Sequence, residues 1–139
     1  MYNRVQNLDA ILREANLRPT RQRINLARLL FSKGGRHVCA ETLYEEAREA
    51  GVMVSLATIY NTLHQFTENG LLRAIKVDPS RTYFDTNTGD HHHFYLEDTN
   101  ELMDMPNGVV KIDNLPIPPD GLEISSVDVV VRLRSTSEN

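Results

Sequence analysis

The chain has 139 residues, 40% of them hydrophobic, and a formal net charge of −4. That is room for one ordinary domain or two small ones. No apolar run of about eighteen residues and no charged-then-apolar leader occurs, which predicts a soluble, cytoplasmic protein without a membrane partner. One cysteine, Cys39, excludes an intrachain disulfide and a structural four-cysteine zinc site.

The negative sum hides an uneven distribution. Between Met1 and Cys39 eight basic residues face only Asp9 and Glu14, leaving seven basic and seventeen acidic residues for the rest of the chain. A basic N-terminal part on an acidic body fits a polyanionic partner better than the net charge suggests.

In chain order, Val5, Leu8, Ile11, Leu12 and Ala15 recur at helical spacing and predict a first helix over 3–15, stopped at Arg18-Pro19. Thr20 is a candidate cap for a second helix over 21–32, which Gly34-Gly35 ends. A third helix runs from Ala40 to Ala50, with Cys39 at its cap and Gly51 at its stop. Ser55 caps a fourth helix over 56–69, whose Leu56, Ile59, Leu63 and Phe66 form the predicted buried stripe before Gly70. The period then changes. Leu71–Val77 and Arg81–Thr86 alternate around Asp78-Pro79-Ser80 and read as a hairpin.

Helices followed by such a hairpin predict an N-terminal winged helix-turn-helix domain over 1–86, and a hinge over 87–90 precedes a β-rich unit over 91–139. The class is α+β, with the second unit a small α/β dimerisation domain. In it, His93–Glu97 and Glu101–Met105 predict a hairpin, and Ile124–Arg134 a strand. Three short strands bury too little to stand alone, so pairing across a homodimer is expected.

Two groups of side chains carry chemistry. On the fourth helix Ala57, Thr58, Tyr60, Asn61, His64 and Gln65 lie off the apolar stripe, a face with hydrogen-bonding groups and no carboxylate that suits the major groove of an operator in double-stranded DNA. Arg18, Arg21 and Arg23 then serve as backbone contacts, with Ser55 at a helix N-terminus favouring a phosphate. The second group is His91-His92-His93, where residues 91 and 93 share one side of a strand and 92 faces the other. Imidazoles suit first-row divalent ions and haem iron, and further ligands are available at His37 and Asp85. A hydrolytic centre would need a base near these histidines. Only Asp90 and Glu97 are close in sequence, and neither has the helical spacing such centres use, so no enzyme activity is expected.

The segments Leu17–Arg23, His37–Leu43, Ser55–Leu63 and His91–His93, in that order and spacing, resemble the ferric uptake regulator (Fur) family over about residues 3–134, and within it the iron response regulator type. The resemblance implies a homodimeric repressor of iron and haem genes. It implies DNA contacts at Arg21, Thr58, Tyr60 and Asn61, and an inter-domain metal site at His37, Asp85, His91 and His93 for Mn²⁺, Fe²⁺ or Zn²⁺. For the iron response regulator type it implies haem as the signal, at His91, His92 and His93; the alternative is a divalent-metal repressor with no haem role. A family cysteine pair falls here on Leu96 and Thr99, a second metal site loses its ligands at Lys111 and Val127, and Cys39 is followed by Ala40 rather than proline. Those departures leave the inter-domain set as the expected centre and His92 and Asp90 without expected partners.

Overall fold

The computed structural model describes residues 7–89 and 91–136, which fall into two compact units divided between Thr88 and Gly89. Residues 3–6 of the expected first helix, Asp90 and the last three residues lie outside the described part.

In the first unit α1 (Leu8–Glu14), α2 (Arg21–Phe31), α3 (Ala40–Glu49) and α4 (Leu56–Glu68) enclose a core of Leu12, Leu26, Leu30, Leu43, Ile59, Leu63 and Phe66, all at 0% exposure. Thr20 caps α2 by accepting from the Arg23 amide, and Ser55 caps α4 by accepting from the Thr58 amide. Cys39 holds the cap position of α3 without a side-chain cap bond. α4 ends where Gly70 takes φ 82°, which lets the Leu71 amide reach back to Phe66 O at 2.8 Å and close the last turn. The expected stripe needs one correction. Leu56, in the first turn of α4, projects past the core and is 37% exposed, while Thr62 is buried.

Strands β2 (Arg73–Asp78) and β3 (Arg81–Asp85) form the expected hairpin, its turn fixed by the Asp78 carboxylate accepting from the Ser80 amide at 2.9 Å. A third strand was not expected: β1 (His37–Val38) pairs antiparallel with β3 and sets His37 opposite Asp85. Two residues are too few to show a period.

In the second unit β4 (His93–Leu96) lies between β5 (Glu101–Asp104), antiparallel, and β6 (Val130–Leu133), parallel. The expected last strand over 124–134 is shorter because β4 offers only four residues to pair with, although Val129 O still accepts from the His93 amide. Among the described residues this unit has no helix, so the expected α/β character is carried by strands and irregular chain alone. Ser135 closes the sheet end by donating its amide to Asp98 at 2.9 Å, with its hydroxyl on the same carboxylate oxygen. Those two bonds hold the Asp98 carboxyl below its ordinary value.

Candidate functional site

Strand register assembles two sets of metal-ligating atoms, one in each unit. In the first unit β1 and β3 place His37 and Asp85 side by side, with Nε2 of the imidazole 3.1 Å from Oδ2 of the carboxylate. Asp85 is 1% exposed, and its Oδ1 accepts from the Asn87 amide at 2.9 Å, which fixes the rotamer. The position of His37 is held from the next residue. Arg36 and Thr86 exchange backbone and hydroxyl bonds at 3.0 and 3.1 Å, and the Arg36 guanidinium reaches Glu46 of α3 and Leu29 O of α2.

In the second unit the β4–β5 register sets His93 opposite Asp104. Oδ1 of Asp104 lies 3.2 Å from His93 Nε2 and 3.0 Å from His91 Nε2, and the two rings stand 4.4 Å apart between centroids. His91 Nδ1 lies 2.7 Å from Gly89 O, and because a carbonyl oxygen only accepts, Nδ1 carries the proton of the neutral ring and Nε2 keeps its lone pair for a ligand bond. These are donor sets of imidazole and carboxylate oxygen, the ligand types of first-row divalent ions, with no sulfur.

His92 differs from expectation in one respect. Its ring turns to the other side of the strand, as alternation requires, but it is not without a partner: Nδ1 accepts from the Val129 amide at 3.1 Å. That makes it an anchor for the chain entering β6. Asp104 is the candidate ligand that residue-by-residue reading missed. The expected hairpin does not supply it: a turn at 98–100 pairs residue 93 with residue 105, and the four-residue turn 97–100 that the structure adopts moves Asp104 opposite His93.

The first unit also carries the polar face of α4. Arg18, Gln22, Arg23, Thr58, Asn61 and Gln65 line a groove of about 390 Å³ between the start of α2 and α4. Arg21 and Asn61 are exposed, and Ser55 and Thr58 are joined through their hydroxyls at 2.9 Å. Arg23 is half-buried, its guanidinium donating to Arg18 O at 3.0 Å and to Gln65 Oε1 at 3.2 Å, so it ties α2 to α4. His64 turns its ring edge-on to Phe84, with centroids 5.6 Å apart. Tyr60 donates its hydroxyl to Glu41 Oε2 at 2.7 Å. That bond, helped by Arg81, holds the Glu41 carboxyl below its ordinary value, and it raises the Tyr60 hydroxyl above its own.

The family model for the ferric uptake regulator family matches residues 14–132. The ferric uptake regulation protein of Pseudomonas aeruginosa is 31% identical over 125 residues, covering 88% of this chain and 93% of that one. A peroxide-responsive repressor of Staphylococcus aureus is 34% identical over 95 residues, 68% of this chain and 64% of that one. Among solved structures, the ferric uptake regulator from Pseudomonas aeruginosa with manganese aligns with a TM-score of 0.69 at 29% identity, over 91% of this chain and 96% of that chain. No described helix is long and apolar enough to cross a membrane.

Proposed function

Because the chain belongs to the ferric uptake regulator family of metal-responsive transcription regulators, we propose that it is a homodimeric repressor whose operator affinity is set by one divalent ion shared between its two units. The ligands are His37 and Asp85 from the first unit and His91, His93 and Asp104 from the second. The observation that carries this reading is that each unit already holds its imidazoles against a carboxylate, at 3.1 Å in one and 3.0 and 3.2 Å in the other. Asp85 and His91 are six residues apart, so the chain keeps the two donor sets within about 20 Å of each other. Two carboxylates balance a 2+ charge, and three imidazoles favour Mn²⁺, Fe²⁺ or Zn²⁺ over Mg²⁺ or Ca²⁺.

We read the first unit as a winged helix-turn-helix, with α4 as the reading helix and the β2–β3 hairpin as the wing. Thr58, Tyr60 and Asn61 face base edges, and Arg18 and Arg21 face phosphates. Arg23 is reassigned from phosphate contact to holding α4 in place, on its bonds to Arg18 O and Gln65. An ion that joins the two donor sets restricts the angle between a reading head and the dimer, and so favours one spacing of two heads on DNA. The chemistry that the ion supplies is this cross-link and no reaction.

A compact ion is preferred to haem for the histidine cluster. Two rings 4.4 Å apart that aim Nε2 at one carboxylate oxygen meet a small ion from one side, whereas axial ligands of haem stand on opposite faces. The haem-sensing subtype therefore rests on resemblance alone.

Fluorescence anisotropy on operator fragments selected from the host genome tests the reading. Chelator-treated protein binds weakly, Mn²⁺ restores binding, and Asp104→Asn lowers Mn²⁺ affinity at least roughly tenfold while His92→Ala does not. Equal operator affinity with and without metal would overturn it. A Soret shift on haem addition that tracks operator release would transfer the role to haem.

A further inference from the structure

Tyr60 of α4 is 37% exposed on the face assigned to DNA, yet its only hydrogen-bond donor is already used: the hydroxyl donates to Glu41 Oε2 at 2.7 Å. Glu41 stands in the first turn of α3, an exposed carboxylate on a surface meant for phosphates. Such a charge weakens DNA binding unless it has a use. Arg81, the first residue of β3 in the hairpin, acts on the same carboxylate, so Glu41 answers to α4 and to the hairpin together.

We infer that Glu41 is a specificity-determining residue that holds Tyr60 in its reading pose. By accepting the hydroxyl's hydrogen bond, it leaves the phenol no donor to offer to a phosphate or a base acceptor. What remains for the groove is the ring edge and the acceptor lone pairs of the oxygen. That presentation suits an apolar contact with a thymine methyl and discriminates against donation to the backbone, which every sequence provides equally. Glu41 therefore reduces overall affinity and raises the ratio of specific to non-specific binding.

The inference rests on the DNA-binding reading, and a double-mutant cycle separates the two. Wild type, Glu41→Ala, Tyr60→Phe and the double variant are compared on a selected operator and on a scrambled duplex, in Mn²⁺. Glu41→Ala is expected to tighten binding to the scrambled duplex and to lower the specificity ratio about three- to tenfold, within the range of one ordinary hydrogen bond. Tyr60→Phe lowers the ratio similarly, and the double variant loses no more than either single one. Glu41→Gln removes the charge but keeps an acceptor, so it tightens binding to both duplexes and keeps the ratio. Circular dichroism confirms that all four variants fold. Additive losses, or a ratio lowered as much by Glu41→Gln as by Glu41→Ala, would overturn the inference. Failure of wild type to prefer any duplex would instead overturn the DNA-binding reading.

Discussion

Glu46→Ala tests whether the half-site at His37 and Asp85 is held by the helices behind it. Glu46 accepts from Arg36 Nη1 at 3.0 Å and Nη2 at 2.5 Å, a two-pronged pair whose side chains keep only 16% and 19% exposure, with Lys33 Nζ at 3.8 Å. Removing one partner of a buried pair costs about 3–5 kcal/mol, while exposed pairs are worth about 1 kcal/mol or less. Partial exposure and the bond that Arg36 keeps to Leu29 O place this case near 2 kcal/mol. For a unit of this size each kcal/mol shifts Tm by about 4–8 °C, so a drop of about 10 °C is expected. Far-UV circular dichroism of the full chain in chelator reports it, because every described helix lies in the first unit. Arg36→Met with Glu46→Leu should recover most of the loss, since a packed apolar pair replaces a buried ion pair at little cost. Arg36 precedes His37 and bonds to Thr86, which follows Asp85, so Glu46→Ala should also weaken Mn²⁺ binding. A Tm drop under about 3 °C with unchanged Mn²⁺ affinity would refute this account of how the half-site is held.

Two further outcomes follow from the same coordinates. The folded-state pKa of Glu41 lies below its ordinary value of 4.5, so the stability that its bond to Tyr60 contributes is complete above that value and is lost as pH falls through the folded value. Urea midpoints of wild type and Glu41→Gln should therefore differ at neutral pH and converge in acid below pH 4.5; a gap that persists in acid contradicts the assignment. On operator DNA, Arg21→Ala should weaken specific and non-specific binding alike and reduce the salt slope by about 1, whereas Asn61→Ala should leave the slope and cost about 1–3 kcal/mol at the preferred sequence alone. Identical salt slopes and identical specificity losses for the two would show that α4 does not read bases.

Local rules sufficed for α2, α3 and α4. The stripe Ile59, Leu63 and Phe66, the caps Thr20 and Ser55, and the stop at Gly70 each act within a few residues, and the structure agrees with them to within a residue or two at the ends. Leu56 failed because periodicity says which face a residue is on, and not how far along the helix the core extends. Arg23 and His64 each gain a partner that periodicity does not show. Both types are common on DNA-facing surfaces, but Gln65 and Phe84, partners that bind them within the protein, are brought near only by tertiary packing.

The proposed metal ligands depend on strand register, which local composition specifies weakly. His37 meets Asp85 only because a two-residue strand joins the hairpin edge, and His93 meets Asp104 only at one alignment of β5 on β4. A slip of one residue would turn Asp104 to the opposite face and bring Met103 or Met105 to His93, replacing a carboxylate with a thioether. What prevents the slip is the turn. Asn100 takes φ 58°, a left-handed conformation that asparagine tolerates, donates its amide to Leu96 O at 2.8 Å and accepts the Tyr95 hydroxyl at 2.7 Å. The turn therefore fixes which carboxylate faces the histidines, from four residues away and without touching them.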